Sequence, residues 1–267
     1  MSLLSDPVHF SHLKRMQLSP AHYRAAVEEG FTKAAFADGR LLHLLVLGGE
    51  AYSVYDGKRQ GNAWKDHLAA QLEAGVKEEN VFTKAELGRV LPMANAVKNN
   101  PIVRRYSLLE GEREREILWK YMGRDCSSRP DVANRERRRI VDLKKTASAE
   151  PDRFAYASRR YSYQAQGAFY RKAAAYVGIE VDEVILLSVE PEPPYAVTPC
   201  RLTPRLLEQG EKICRVWFEK LLACEAANEW PEYVQDIIDI DVPEEGGFSL
   251  FGFGEGETSD ENDEAAQ

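Results

Sequence analysis

No stretch of the 267-residue sequence comes near the roughly 18 consecutive apolar residues that a membrane-spanning helix needs, so helical membrane proteins are excluded. The N-terminal "MSLLSDPVHF" has neither a basic start nor an apolar core, and no secretory signal is expected there. Cysteine is sparse. Cys126, Cys200, Cys214 and Cys224 form no C-x-x-C pair, which fits free thiols in a reducing cytoplasm better than a disulfide framework. No internal repeat is present. Positive charge is missing from one region altogether: from Pro243 onward there are eight acidic residues and no Lys or Arg. The net charge of -8 looks wrong for a nucleic-acid partner, but removing those eight from the 43 acids leaves 35, the number of Lys plus Arg. Residues 1–242 are therefore neutral as a whole and free to carry local basic clusters.

What is present reads as one globular domain over 1–242 and an acidic, Gly-rich tail over 243–267 that is expected to be disordered. The tail is either an inert solubilising extension or, through "GGFSLFGFGEGE", a docking segment. "LSPAHYRAAVEEGF" predicts a helix with Ser19 as N-cap and Pro20 at its first position. A second helix within "FADGRLLHLLVLGGEAY" should stop at Gly48 and Gly49. A third, in "FTKAELGRVLPMANAVKNNP", carries a Thr83/Glu86 capping box, and Pro92 should kink or break it. Strand character follows in "REILWKYM", "CSSRPDVA" and "RRIVDLKKT", and again in "DEVILLSVE" and "YAVTPCRL". "PDRFAYASRR", "YSYQAQGAFYRKAAAYVG" and the long amphipathic "TPRLLEQGEKICRVWFEKLLACEAA" return to helix. The sum is an α/β protein with helices packed around a central mixed sheet.

The segment "RPDVANRERRRIVDLKK" gathers acids and bases. On a strand Ile140, Asp142, Lys144 and Thr146 share one face, with Val141 and Leu143 on the other, toward the core. A hairpin turning about Glu136 and Arg137 sets Asp131 directly opposite Asp142. Carboxylates that close repel unless one is protonated or a cation lies between them. Oxygen ligands favour Mg²⁺ or Mn²⁺. Lys144 beside the cation is placed to hold a water or steady a phosphoryl charge. Glu114 is a candidate third carboxylate, with Glu112 and Glu116 competing. His43, in an apolar helix, is either a satisfied core residue or a further ligand if that helix packs over the hairpin. Gln166 and Tyr170 share a helical face.

These residues resemble the PD-(D/E)XK nuclease superfamily: "RPD" followed by "VDLK" resembles its acidic-lysine motif, and "QGAFY" its Q-x-x-x-Y motif of the RecB and lambda-exonuclease branch. The finer resemblance is to the RecE-type exonucleases (exonuclease VIII) of prophages, carried by "GRLLHLLVLGGEAY", "EREILW" with "RPD", "IVDLKKTASAEPDRFA" and "YSYQAQGAFY". It extends roughly from Leu18 to Tyr233. The segment "LGGEAY" departs from the Leu-Glu-Pro common in relatives.

That resemblance implies a PD-(D/E)XK fold and Mg²⁺-dependent 5′-to-3′ digestion of double-stranded DNA from its ends by a two-metal mechanism. Mononucleotides and a 3′ single strand would result, the latter for an annealing protein in phage-type recombination. It implies His43, Asp131, Asp142 and the Leu143 carbonyl as metal ligands, Lys144 as the residue orienting water, and Gln166 and Tyr170 as supports. Glu114 matches the acidic position before the tryptophan motif. It also implies a ring-shaped homo-oligomer, a trimer or tetramer. If Lys144 must release a proton, activity should rise at alkaline pH. Candidate phosphate contacts are Lys58, Arg59, Arg104, Arg105, Arg137, Arg139, Arg159 and Arg160. The competing readings are an endonuclease or repair nuclease of the same fold, of which the iron–sulfur type lacks its cysteine quartet here, and a catalytically silent module that binds DNA ends.

Overall fold

The computed structural model of the chain describes residues 6–29, 37–234 and 236–239. The acidic tail, and the disorder expected of it, lie outside the described residues. In chain order the elements are β1 (Val8–His9), α1 (Phe10–Leu13), α2 (Pro20–Glu29), α3 (Ala37–Leu47), β2 (Ser53–Tyr55), α4 (Gly61–Glu73), β3 (Val81–Thr83), α5 (Lys84–Asn99) and α6 (Pro101–Arg105). Then come β4 (Glu112–Arg113), β5 (Ile117–Tyr121), β6 (Arg124–Ser128), β7 (Val132–Asn134), β8 (Arg139–Lys145), α7 (Pro151–Arg160), α8 (Tyr163–Tyr176), β9 (Glu183–Val189), β10 (Val197–Arg201) and α9 (Pro204–Ala227).

The central sheet has the strand order β10-β9-β8-β7-β4. Strands β8 and β9 run parallel and the other neighbours antiparallel, so the predicted mixed sheet is found. The expectation that only Val141 and Leu143 of β8 face a core is corrected: both faces are buried. Ile140, Val184 and Leu186 pack with Phe169 of α8 and Phe218 of α9. Val141, Leu143, Ile185 and Leu187 pack with Leu41 and Leu42 of α3 and with Val90 and Met93 of α5. Central parallel strands covered by helices on both sides are buried in this way. Within this buried strand the charged Asp142 and Lys144 lie on the α8 side.

Local signals explain most boundaries. Gly48 and Gly49, at φ +75 and +100, stop α3. The Thr83/Glu86 capping box opens α5 with both reciprocal bonds present. Helix α5 nevertheless runs unbroken through Pro92, because Val90, Met93, Ala94 and Val97 are buried against α3 and that packing outweighs one lost backbone bond. The segment "CSSRPDVA", expected as one strand, is two. β6 joins a separate sheet of order β1-β6-β5, and Pro130 separates it from β7. Helix α4 was not foreseen; none of its residues is buried, so it lacks the apolar stripe that marks a helix in sequence.

The hairpin register predicted for β7 and β8 is the one observed: Val132 faces Val141, Ala133 faces Ile140 and Asn134 faces Arg139. Its turn arginines do not neutralise the aspartates. Arg138 pairs with Glu180 at 2.8 Å and Asp182 at 2.7 Å, and Arg139 with Glu183 at 2.6 Å. Among the described residues no helix is long and apolar enough to cross a membrane, and all four cysteines are free.

Candidate functional site

Continuing the hairpin register by one residue sets Asp131 opposite Asp142, and by two sets Pro130 opposite Leu143. Pro130 has no N–H to give, so the backbone ladder stops there. The edge of β8 is completed by side chains instead. The Leu143 N–H donates to Asp131 Oδ2 at 2.6 Å, and the Leu143 carbonyl accepts from His43 Nε2 at 3.1 Å. His43 comes from α3, which does pack over the hairpin.

A carbonyl only accepts, so Nε2 carries the proton of that bond and Nδ1 is the ring nitrogen left to face Asp131. Nδ1 lies 3.4 Å from Asp131 Oδ1. Two acceptors facing each other repel unless a proton or cation is shared. Glu114 completes the group, since ligand atoms of His43, Glu114 and Asp131 all lie within 4.8 Å of one another. Glu114 is held in the left-handed region at φ 47, with its N–H on the Asp131 carbonyl at 3.1 Å. Non-glycine residues at positive φ cost energy and collect at functional sites. Gly49 leaves the carboxylate room: a Cβ there would stand 3.4 Å from Glu114 Oε2. Glu112 and Glu116 are engaged elsewhere, by Arg115 at 2.8 Å and by Ser127 at 2.7 Å.

Asp142 stands beside this cluster rather than in it. Its Oδ2 is buried and forms a 2.6 Å ion pair with Lys144 Nζ. Lys144 donates to Gln166 Oε1 at 2.9 Å, and Gln166 Nε2 donates to the Tyr170 hydroxyl at 3.1 Å. The same ammonium lies 4.7 Å from the Tyr163 ring centre. Asp142, Lys144, Gln166 and Tyr170 thus form one continuous polar line through the apolar layer between β8 and α8.

The electrostatics separate the two halves. Burial pushes Asp131 up to about 6, and the Asp142 carboxylate adds to this, while His43 and Lys144 oppose it. Burial works to lower Lys144, but Asp142, helped by Tyr163 and Asp131, raises it instead. In the metal-free chain Lys144 is therefore held as an ammonium beside Asp142. Burial raises Tyr170, keeping the phenol neutral.

His43, Glu114, Lys144, Gln166 and Tyr170 open onto a cleft of about 690 Å³, with Asp131 and Asp142 buried beneath. One wall, His9 to Arg15, comes from the N-terminal segment, which pairs through β1 with β6. There Lys14 is held down at about 8, by burial first and by the Lys144 ammonium second. None of the arginines expected to hold phosphate lines this cleft. Arg137 and Arg139 lie at the hairpin turn, Arg104 donates to Asn99 and the Lys98 carbonyl, Arg105 sits over Tyr106, Arg160 over Tyr161, and Arg159 is exposed. Lys58 and Arg59 are also outside it. The cleft's own cations are Lys14, Arg15, Arg40, Arg129, Lys144 and Lys145. Of those missed in sequence, Arg129 alone carried a signal, its place directly before Pro130–Asp131. The others reach the cleft through tertiary packing.

Over residues 9–239 the sequence matches the family model described as a PDDEXK-like domain of unknown function (DUF3799). No curated protein matches it in sequence. Among solved structures, a candidate exonuclease from Eubacterium rectale superposes with a TM-score of 0.61 at 12% identity, covering 92% of this chain and 93% of its own. A phage-related exonuclease from Haemophilus somnus 129PT scores 0.39 at 13% identity over 84% and 97% of the two chains. An alkaline exonuclease from Laribacter hongkongensis scores 0.31 at 14% identity over 74% and 96%. Of these three only the Eubacterium protein is similar enough to establish a shared fold, and at that identity it establishes no more.

Proposed function

Because the chain belongs to the PDDEXK-like DUF3799 family and has that fold, we propose that it is a divalent-metal-dependent deoxyribonuclease that digests linear duplex DNA from its 5′ ends. The observation that carries this reading is the convergence of His43, Glu114 and Asp131, whose ligand atoms all lie within 4.8 Å of one another, with His43 Nδ1 3.4 Å from Asp131 Oδ1.

The donor set fits a divalent cation. The carboxylates of Asp131, Glu114 and Asp142 and the Leu143 carbonyl are the oxygen donors that Mg²⁺ and Mn²⁺ take, with one imidazole nitrogen beside them. His43, Asp131 and Glu114 would hold the first ion, the Leu143 carbonyl retaining a second lone pair for it, and Asp142 would serve a second. The chemistry such ions supply when bound is acidification of water and neutralisation of charge on the phosphoryl oxygens. The residues do the rest. Lys144, clamped by Asp142 and Gln166, points a fixed ammonium at the charge developing on the phosphate. Tyr170 fixes Gln166, which fixes Lys144.

The finer reading, supported by the resemblance, is release of mononucleotides from the 5′ strand. A 3′ single strand is left for an annealing protein, within a ring-shaped homo-oligomer. Incubation with end-labelled linear duplex and with closed circular plasmid, in Mg²⁺ or EDTA, tests it. Degradation of the linear DNA alone, abolished by EDTA, is expected. Cutting of the circle makes the protein an endonuclease. Asp142→Ala should lose turnover and keep DNA binding; no turnover in the natural sequence to begin with leaves an end-binding module. Light scattering after gel filtration reads the subunit number, and a monomeric mass would end the ring.

A further inference from the structure

Five of the six cations in the cleft are engaged by the fold. Lys144 pairs with Asp142 and Gln166. Lys145 lies 3.9 Å from Asp38, and Arg40 3.7 Å from Glu79. Lys14 and Arg15 have partners as well. Arg129 differs. It is exposed on the cleft and, among the described residues, makes neither a hydrogen bond nor an ion pair. It lines the cleft together with His9 of the N-terminal wall and Glu50 just beyond α3.

The root of that side chain is fixed on both sides. Ser128, the last residue of β6, accepts from the Trp119 indole at 3.0 Å. Pro130, buried and with a locked φ, follows, and Asp131 comes next with its carboxylate on the Leu143 N–H. Arg129 therefore spans the junction of two sheets, two residues from a cluster ligand. Glu50 attracts the guanidinium from a distance, but no carboxylate of the described residues is within ion-pair reach of it, and five other cations share the cleft. An incoming anion supplies the close contact that the fold does not. The planar fork of arginine matches the paired oxygens of a phosphodiester, which a lysine ammonium does not.

We propose that Arg129 grips a backbone phosphate of the DNA strand being cleaved, and so sets the register of that strand against His43, Glu114 and Asp131. This rests on the nuclease reading above and adds a substrate-binding residue to it.

The test uses the full chain and a short linear duplex, with Ca²⁺ in place of Mg²⁺ to hold back turnover. Dissociation constants are measured over a range of salt concentrations for the natural sequence, Arg129→Ala and Arg129→Lys. Arg129→Ala should bind roughly 10- to 100-fold more weakly. Its log–log salt dependence should be shallower by about 0.9 for a duplex contact or about 0.7 for a single strand. Arg129→Lys should recover the slope and only part of the affinity. Neutral methylphosphonates placed singly along the cleaved strand should reveal one position whose loss vanishes in Arg129→Ala. Thermal unfolding reports whether each variant is folded, and Arg129→Lys carries the test if the alanine variant is not. Unchanged affinity and slope in a folded variant, or methylphosphonate losses that add at every position, overturn the proposal and leave the nuclease reading standing. A natural sequence that binds no DNA removes both.

Discussion

At Asp131 burial acts against the charge that a cation needs. Its carboxyl, raised to about 6 from an ordinary 3.8, keeps a proton in the folded state that the unfolded chain has released. Metal-free stability therefore falls as pH rises through that window, and above about 6 the full penalty, roughly 3 kcal/mol, remains. In EDTA, Asp131→Asn should unfold at a higher temperature than the natural sequence at pH 8, with the gap closing near pH 4. A gap that does not depend on pH would mean that Asp131 is ionised without cost. The same proton competes with metal, so activity should climb to a plateau by about pH 6 to 7. The alkaline rise expected if Lys144 releases a proton belongs to the other end of the same profile, since Asp142 raises Lys144 in the metal-free chain. A rate still climbing past pH 9 would point to that release.

Helix α8 carries Gln166 and Tyr170, and its distance from β8 decides whether Lys144 is held. Two glycines set how closely α8 packs against its other neighbours, α9 and β9. A Cβ on Gly210 of α9 would stand 2.0 Å from the Gln164 carbonyl oxygen, and one on Gly167 would stand 2.8 Å from Leu202 and 3.0 Å from Val184. The first clash is with backbone and cannot be relieved by a rotamer. Gly210→Ala should cost about 3 kcal/mol or more in urea unfolding, and it should lower activity in the protein that still folds, because α8 must shift. A stability change within about 0.5 kcal/mol would show that α8 and α9 separate freely. The N-cap of α5 is a milder case: Thr83→Ala should cost about 1 kcal/mol with little effect on the site, since Thr83 does not line the cleft.

For the molecule as a whole, cation binding and folding are linked through the cleft. The ligands come from α3, from the residue after β4 and from the residue before β7, so an ion joins three parts of the chain. At a hundred times its Kd, Mg²⁺ should stabilise the fold by about 2.7 kcal/mol, or roughly 5–10 °C in Tm for a chain of this size. Asp131→Asn and His43→Ala should lose that response. An unchanged Tm in the natural sequence at saturating Mg²⁺ or Mn²⁺ would remove the metal centre. The cleft is also where the N-terminal segment meets the catalytic face, which makes substrate binding a property of the folded chain and of no single motif.

Local chemistry was enough to specify much of this. Alternation and turn residues determined the β7–β8 hairpin and hence Asp131 opposite Asp142. Capping residues and glycines determined most helix ends, and a four-residue spacing put Gln166 and Tyr170 on one face. These are short-range relations, carried by neighbours in sequence. Packing decided what lies beyond their reach: that β8 is buried on both faces, that Glu114 rather than Asp142 completes the cluster with His43 and Asp131, and that Asp142 is instead bound to Lys144. It also decided which cations face the cleft. A charged side chain looks the same in sequence whether its counter-ion is a glutamate of the fold or a substrate not yet bound. The turn arginines found glutamates and an aspartate, and Arg129 found none, because only the tertiary fold brings distant carboxylates to one and withholds them from the other.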